Sequence, residues 1–518
     1  MAIAATCPLV PLAYATDGSW SSSGALTGVT TTWETTSNWD GGTVPSGTGA
    51  IATIQQNLTG NVNITTSGVT LGTINFSDTG SGTDNRISLG SGTWTFATSS
   101  GTPTINIGQS GDTIDIPLQI NGATITGSQG LKLSVASGVT WTGVGSSVRI
   151  GGAVTWTSFT GALTLDAGRF TTENANVLPS ASELVLSNGT YIRAVGVSNS
   201  NTTRDQTIGG LSSSDSTTII SGGDNATATG NLTINTAAST SYTFAGKIGA
   251  NIMDTGAALE NSRIAIIKNG TGTQKFSGAN IYAGTTTIND GTLLVNGTHI
   301  ADTSTSGAGL AALTTRGAYV VNSGATLGGT GTIKPYDATG GGIMVDVKSG
   351  GIVAPGDGGV GTLTFDQTAS ARTNLWLSSG ALLAFDLGAG LASDRIAFVG
   401  NASVVEAGFN GNVINFTDRT SGVLSAGDYL LFDGDTNTNY NGLTLGSAFT
   451  GASFSGSLIT SGLSIGTGLE AYAGATLFQS GNDIYLNVAA IPEPSAFAAF
   501  AGLGALAAVS LRRRRTAR

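Results

Sequence analysis

Short stretches in which apolar and polar residues alternate recur along this chain. The segment 131–135 reads Leu-Lys-Leu-Ser-Val, and the segment 484–488 reads Ile-Tyr-Leu-Asn-Val. A period of two places alternate side chains on one side of an extended chain, so each stretch is predicted to be a β-strand with one buried face. Glycine, asparagine, aspartate and serine, which favour turns, separate these stretches. The pattern predicts an all-β protein of short strands and tight corners.

Two internal repeats indicate how the strands are arranged. The residues from Phe159 to Phe170 align without a gap on those from Tyr282 to Leu293. A shorter unit begins with Ser-Gly at Ser67, Ser137, Ser323, Ser349 and Ser379, and the last three copies are 26 and 30 residues apart. Short repeats of this kind form solenoids, because only stacked coils can bury their inward side chains. We predict a β-solenoid in which roughly 300 residues, at about 22 residues per coil, form a rod on the order of 65 Å long.

Residues 268–297 carry motifs that are similar to a known repeat. They include Gly270-Thr-Gly272, the run Phe276-Ser-Gly-Ala-Asn-Ile-Tyr282, and Gly291-Thr-Leu293. This segment resembles the autotransporter-associated β-strand repeat. Together with the weaker copy near Phe159, the resemblance extends over residues 57–400. It implies that this region is a right-handed parallel β-helix (solenoid) of the kind found in secreted passenger domains.

Residues 16–56 differ from the repeats by their tryptophans, Trp20, Trp33 and Trp39. Bulky aromatic side chains can cover the open end of a solenoid, so this segment is predicted to be a Trp-rich N-terminal cap. A second interpretation remains open, in which exposed rings of these three residues contact glycans. Residues 401–488 continue the strand pattern with less repetition and are predicted to form a C-terminal β-rich segment.

The last thirty residues, 489–518, have a different composition. Pro492-Glu493-Pro494 precede residues 496–511, which carry no charge, and Arg512, Arg513, Arg514 and Arg515 follow at once. As a helix, the uncharged run is about 24 Å long, which predicts one short C-terminal transmembrane helix in the inner membrane. The arginines place the extreme C-terminus in the cytoplasm. The alternative is a buried apolar helix.

This order of elements resembles the PEP-CTERM sorting signal. The resemblance implies that Pro492, Glu493 and Pro494 are recognised by an exosortase, a membrane protease of the host cell that removes the tail. At the other end, Ala13-Tyr14-Ala15 has the small-x-small form of a signal peptidase site, with cleavage after Ala15. Residues 1–15 are therefore predicted to be the remnant of a secretory signal peptide.

Charge and composition exclude several classes of function. The net charge is -10, and it is -15 when the five basic residues in the last seven positions are left out of the 21 Lys and Arg. Such a surface repels phosphate backbones, so no nucleic acid partner is expected. A single cysteine, Cys7, and a single histidine, His299, leave no disulfide framework and no Cys/His metal site. We expect no cofactor and no metal, and we expect His299 to lie in a loop.

Parallel β-helices also include polysaccharide lyases and hydrolases, which need clustered carboxylates on one face. Here Asp166, Asp290, Asp386 and Asp394 are scattered singly beside turn residues, and we expect each at a corner or on the surface. No catalytic residue is predicted.

The sequence therefore favours a non-catalytic, exported structural or adhesive protein of the cell surface or extracellular matrix. It would be anchored transiently in the inner membrane, with exopolysaccharide or other surface glycans as partners. The alternatives are a β-helix polysaccharide lyase or hydrolase and a carbohydrate-binding surface protein that uses the N-terminal tryptophans.

Overall fold

Short strands make up most of the structure. The computed structural model describes residues 15–21, 28–58, 60–78, 86–109, 118–136, 147–194, 204–222, 229–250, 262–303, 313–337, 343–366, 368, 375–400, 407–420, 422–434, 440–441, 444–448 and 457–490. The helices in these ranges are three single 3-10 turns, at Thr36–Asn38, Asp40–Gly42 and Ala389–Leu391. The all-β prediction is confirmed for these residues.

The strands are numbered in chain order. Those of the first half are β1 (Gly18–Ser19), β2 (Val29–Thr32), β3 (Ile51–Gln56), β4 (Val62–Thr65), β5 (Val69–Leu71), β6 (Thr73–Asp78), β7 (Ile87–Leu89), β8 (Gly92–Phe96), β9 (Thr104–Gln109), β10 (Leu118–Asn121), β11 (Ala123–Gly127), β12 (Leu131–Val135), β13 (Val148–Gly151), β14 (Thr155–Phe159), β15 (Leu163–Asp166), β16 (Arg169–Thr172), β17 (Glu183–Ser187), β18 (Tyr191–Arg193), β19 (Gln206–Ile208), β20 (Gly210–Ser212), β21 (Ile219–Ser221), β22 (Gly230–Asn235), β23 (Ser241–Phe244) and β24 (Lys247–Ile248).

Those of the second half are β25 (Ile264–Asn269), β26 (Thr273–Phe276), β27 (Ala279–Asn280), β28 (Thr286–Ile288), β29 (Thr292–Val295), β30 (Thr298–Ile300), β31 (Thr315–Arg316), β32 (Tyr319–Val321), β33 (Thr326–Gly329), β34 (Thr332–Lys334), β35 (Tyr336–Asp337), β36 (Val345–Val347), β37 (Ile352–Pro355), β38 (Thr362–Asp366), β39 (Leu375–Leu377), β40 (Leu382–Leu387), β41 (Arg395–Val399), β42 (Ala407–Gly408), β43 (Asn412–Asp418), β44 (Gly427–Asp433), β45 (Tyr440–Asn441), β46 (Thr444–Ala448), β47 (Ser457–Ser461), β48 (Leu463–Ile465), β49 (Thr476–Ser480) and β50 (Asp483–Val488).

The strands stack into a solenoid with three faces. Face one holds the sheets β1-β3-β6-β9-β12-β15-β17-β20 and β23-β26-β29-β33-β37-β40-β43-β48. Face two holds β2-β4-β7-β10-β13-β16-β18-β21-β24 and the sheet that begins β27-β30-β34-β38-β41-β44. Face three holds β5-β8-β11-β14 and β19-β22-β25-β28-β32-β36-β39-β42-β45. The chain visits the faces in this order, and each strand pairs in parallel with the strand one coil away.

The two sheets of face one, and the two sheets of face two, are joined by backbone contacts, so the solenoid is continuous. On face one, Ser213 and Phe244 form a parallel bridge. On face two, the N–H of Ile281 donates to the carbonyl of Ile248 at 2.9 Å. The sixteen strands of face one, spaced by about 4.8 Å, give a rod of about 70 Å.

Stacked apolar side chains fill the interior. One inward column of face two runs through Phe170, Ile192, Ile220 and Ile248, which are register partners and fully buried. Each coil buries its inward residues against the next, and the backbone of each strand bonds to its neighbours. The stacked coils thus form one core that extends along the rod.

The coils are longer and more variable than predicted. On face one Thr273 pairs with Thr292, 19 residues later, and Thr292 pairs with Thr326, 34 residues later. The prediction of about 22 residues per coil is wrong for most coils. Only the strands are held to a common length by pairing, whereas a corner can take extra residues without disturbing the stack.

The Ser-Gly units at Ser323, Ser349 and Ser379 mark one corner in three successive coils. Gly324, Gly350 and Gly380 have φ angles of 83°, 78° and 81°, where a side chain would be strained. The N–H of Gly324 donates to the carbonyl of Gly350, and the N–H of Gly350 to that of Gly380, at 2.9 and 2.8 Å. The spacings of 26 and 30 residues are therefore single coils.

The predicted boundaries at residues 57 and 400 lie within continuous sheets. Strands β1 and β2 already pair in parallel with β3 and β4. At the other end β43 and β48 continue face one, while β44, β50, β49 and β47 form an antiparallel sheet. The solenoid therefore begins within the Trp-rich segment, and the C-terminal segment combines a last set of coils with an antiparallel sheet.

Candidate functional site

The predicted processing sites lie at the two ends of the chain. Pro492, Glu493, Pro494, the run 496–511, the four arginines and Ala13 lie outside the described residues. Ala15 is described and exposed. Within the described ranges, no helix has the length and apolar character needed to cross a membrane. The described chain ends at Ala489 and Ala490, which are exposed beyond β50.

The three N-terminal tryptophans are buried together. Trp20, Trp33 and Trp39 are 2%, 0% and 2% exposed. The rings of Trp33 and Trp39 meet edge to face at 4.7 Å, and Trp33 also contacts Trp94 of β8 at 5.3 Å. The indole N–H of Trp33 donates to the carbonyl of Pro45 at 2.9 Å. Because no ring face is open to solvent, this burial contradicts the interpretation that these residues contact glycans.

The coil that carries the autotransporter-like motif contains a buried lysine. Continuing the alternation of Ile264 and Ile266 along β25 places Lys268 inside, between Ile234 and Ile288 of the neighbouring coils. Its ammonium group donates to the carbonyls of Asn269, Gly270 and Asp290 at 3.0, 2.7 and 3.1 Å. Burial lowers the pKa of Lys268 to about 8, although the charge of Asp290 opposes this. The lysine ties two coils together through backbone carbonyls.

The same coil contains a buried glutamine, Gln274, which also forms hydrogen bonds to the backbone of another coil. Gln274 of β26 donates to the carbonyl of Leu211 at 2.9 Å and accepts from the N–H of Leu211 at 3.1 Å. Leu211 is two coils away on face one. A buried amide with both groups bonded is stable in an apolar core, and its loss leaves backbone groups unpaired. Sequence analysis missed both residues, although the strand alternation was a signal for them.

His299 is also inside, which makes its predicted loop position wrong. It lies in β30, 1% exposed, with its ring stacked on that of Tyr282 at 3.8 Å. Its Nε2 is 2.9 Å from the carbonyl of Tyr282, which can only accept, so Nε2 carries the proton. Its Nδ1 then accepts from the hydroxyl of Tyr319 at 2.8 Å. Burial lowers the pKa of His299 to about 4, so the ring is neutral at pH 7.

Among the four scattered aspartates, Asp394 is at a corner but is not on the surface. It is 2% exposed, and its two carboxyl oxygens accept from the N–H groups of Gly361 and Asp386 at 2.7 and 2.8 Å. Burial raises the pKa of Asp394 to about 7, against these two hydrogen bonds. Both oxygens are thus engaged in bracing the corner between β40 and β41.

A cavity of about 350 Å³ lies on the outside of the same coils. Its lining residues are Val360, Gly361, Thr362, Leu391, Ala392, Ser393, Arg395 and Leu430. The guanidinium group of Arg395 forms an ion pair with the carboxylate of Asp433 at 3.1 Å. Glycoside hydrolysis requires two carboxyl groups at the bond to be cleaved, and no carboxylate lines this cavity. Across the described ranges, no group of three or more His, Cys, Asp or Glu side chains is placed to hold a metal ion.

Asp166 closes a corner between faces one and two. It accepts hydrogen bonds from Ser134, Ser187 and Asn188, and its carboxylate forms an ion pair with Lys132. Burial raises the pKa of Asp166, but these four donors outweigh that effect and hold it at about 2. The carboxylate is therefore a structural brace, as expected for a corner residue.

Replacement of Asp166 by asparagine is expected to lower the free energy of unfolding by about 2 kcal/mol at pH 7. The folded carboxyl has a pKa of about 2 and the ordinary value is 3.8, so this stability is present above pH 3.8 and is lost as the pH falls to 2. Urea denaturation at pH 7 and pH 2 measures it. Asp40→Asn, at an exposed position, is the control. A deficit of Asp166→Asn that is equal at both pH values contradicts this account.

Comparison with known families gives one match, which falls on the region that contains Lys268 and Gln274. The model of the passenger-associated-transport-repeat family matches residues 266–295. These residues run from β25 to β29 and include the shortest coil on face one, together with Lys268, Gln274 and Tyr282. No curated protein matches the chain. The chain is thus similar, over residues 266–295, to the passenger-associated transport repeats of secreted and cell-surface proteins.

Proposed function

We propose that this protein is an exported, non-catalytic rod of the bacterial cell surface or extracellular matrix. The observation that carries the proposal is the transport-repeat match, which falls on a coil of a continuous parallel solenoid. A solenoid of about 70 Å holds surface groups at fixed distances along its length. Its described carboxylates also support a structural role, since Asp166 and Asp394 bond to neighbouring corners.

The ends of the rod have separate roles in the proposal. In this proposal the tryptophan cluster closes the first end of the rod, and the contact of Trp33 with Trp94 supports that role. At the second end, β50 pairs with β44 on one side and β49 on the other. The residues after Val488 therefore follow a strand that is hydrogen-bonded on both edges. Residues 489–518 are the sorting tail, which holds the protein in the inner membrane until an exosortase removes it.

Mass spectrometry of the native protein tests the export and processing. Extracellular material is expected to begin at Thr16 and to lack residues 491–518, which are found only in the membrane fraction. Glu493→Ala is expected to keep the tail and to remain with the membrane. Glu470→Ala, an exposed acidic position on the rod, is the control and is released normally. Extracellular protein with an intact tail contradicts the proposal.

A further inference from the structure

The cavity beside β38, β41 and β44 has an apolar wall that is open to solvent. Val360 and Leu391 form this apolar wall, and their side chains are 40% and 39% exposed. Arg395, whose side chain is 39% exposed, adds one cation, and the described lining has no carboxylate. The volume of about 350 Å³ is in the range of sites that hold a small ligand. The lining therefore fits a partner with apolar groups and one negative charge.

Hydrogen bonds hold the walls of this cavity in place. The hydroxyl of Ser393 donates to the carbonyl of Leu430 at 2.5 Å, and the backbone N–H of Arg395 donates to the carbonyl of Gly361 at 2.9 Å. The carboxylate of Asp394 accepts from the N–H of Gly361 at 2.7 Å. These bonds tie together segments of three successive coils. Because the site is already formed, a ligand does not have to order the lining when it binds.

The chain leaves the described structure close to this cavity. Strand β50 runs antiparallel to β44, so Val488 is the register partner of Gly427. A Cβ atom placed on Gly427 would be 3.0 Å from Cδ2 of Leu391, which lines the cavity. Paired Cα atoms lie about 5 Å apart, so Val488 is within about 10 Å of the lining. Five further residues of extended chain, as far as Glu493, span up to about 17 Å and can reach it.

The segment after β50 has the chemistry that the cavity fits. Residues 491–494 read Ile-Pro-Glu-Pro, and Glu493 is the one acidic residue of the range 489–518. Its carboxylate is complementary in charge to the guanidinium of Arg395, and its two proline neighbours are rigid, apolar rings that match the apolar wall. Arg395 already pairs with Asp433 at 3.1 Å, but a guanidinium has five N–H donors and can bind a second carboxylate.

We propose that Pro492, Glu493 and Pro494 dock in this cavity before the tail is removed, with the prolines on the apolar wall and the carboxylate on Arg395. The proposal rests on the proposed function in treating residues 489–518 as a tail that is later removed. Tethering gives the segment an effective concentration on the order of millimolar at the cavity, so weak contacts are enough to hold it. Docking covers the tripeptide, so the processing protease competes with the rod for it.

Disulfide cross-linking of the purified full-length protein in detergent tests the docking. Cys7→Ser gives a background without cysteine. In it Leu391→Cys is combined with Pro494→Cys, and the matched control combines Val423→Cys with Pro494→Cys. Val423 is 65% exposed and lies four residues before Gly427, so an undocked tail would reach it equally well. We expect the Leu391 pair to form its disulfide at least about fivefold faster, because docking holds the tail at the cavity.

A second variant tests the contact between the two charges. Glu493→Gln keeps the size of the side chain and removes its charge, so the rate for the Leu391 pair is expected to fall about two- to fivefold. Added salt is expected to slow the Leu391 pair and to leave the Val423 pair unchanged. If Leu391→Cys folds poorly, Val360→Cys repeats the measurement from the second residue of the apolar wall.

Three results overturn the proposal. These are equal rates for the Leu391 and Val423 pairs, a rate for the Leu391 pair that does not change in Glu493→Gln, and cross-linked dimers in place of the intramolecular disulfide. Dimers would show that the cavity holds the tail of a second copy. The assay contains no exosortase, so its result is independent of the mass spectrometry that tests export and tail removal. A tail that docks but is never removed is thereby distinguished from one that is removed without docking.

Discussion

Lowering the pH from 6.5 to 4 is expected to reduce the free energy of unfolding by about 3 kcal/mol through His299 alone. The folded ring has a pKa of about 4 because it is buried between Tyr282 and Tyr319, whereas the unfolded chain has the ordinary value of 6.5. The unfolded state therefore binds a proton first. Full stability is present above pH 6.5 and is lost as the pH falls towards 4.

Urea denaturation across this range measures the effect, and His299→Gln is the matched variant. Glutamine can donate to the carbonyl of Tyr282 and accept from the hydroxyl of Tyr319, but it does not titrate. The variant is expected to be less stable at pH 7 and to lack the additional loss between pH 6.5 and 4. No other histidine contributes, since the chain has one. Equal pH dependence of the two proteins contradicts the buried, neutral assignment.

Trp33→Ala is expected to lower the free energy of unfolding by about 3 to 5 kcal/mol. The side chain is fully buried, contacts Trp39 and Trp94, and donates to Pro45, so its removal leaves a large cavity and an unpaired carbonyl. Tryptophan fluorescence and circular dichroism during urea denaturation measure the loss. The N-terminal coils are expected to unfold first, because each coil is stabilised mainly by its neighbours.

Trp376→Ala is the control for this change, because Trp376 is only half-buried on the outside of face three. Its loss is expected to cost about 1 kcal/mol. A Trp33→Ala protein within that amount of the wild type would show that the cluster does not secure the end of the rod. Loss of glycan binding in Trp33→Ala without loss of stability would restore the glycan interpretation.

Much of the strand content was predictable from alternation. The segments 131–135 and 484–488 are strands β12 and β50, with buried residues at the expected positions. The Ser-Gly units were also informative, since Ser323, Ser349 and Ser379 lie at one corner. Both signals are local, because the alternation of side chains along a strand and a positive φ at a glycine depend on a few adjacent residues.

The longer repeat shows where local reasoning failed. Leu163–Asp166 and its aligned counterpart Thr286–Ile288 are both strands, but β15 lies on face one and β28 on face three. The repeat therefore describes a strand, a corner and a strand, and not a position in the coil. The face is decided by how many residues the intervening corners contain.

Buried polar residues were missed for a related reason. Lys268 and His299 are uncommon in apolar cores, and their inward placement becomes favourable only when a neighbouring coil supplies hydrogen-bond partners. For Lys268 that partner is the carbonyl of Asp290, which accepts, and for His299 it is the hydroxyl of Tyr319, which donates to Nδ1. The hydrogen-bond partners of Lys268 and His299 are distant in the chain or across a corner, so the composition of the sequence does not reveal these partners.

By itself, the sequence determined the all-β class, the stacked parallel strands, the corner glycines and the likeness to secreted passenger repeats. Each depends on short-range patterns of polarity and backbone freedom. The tertiary structure decided the length of each coil, the burial of the tryptophans and the polar bonds inside the core. These features depend on which residues stacking brings into contact, because the corners vary in length while strand pairing keeps the faces in register.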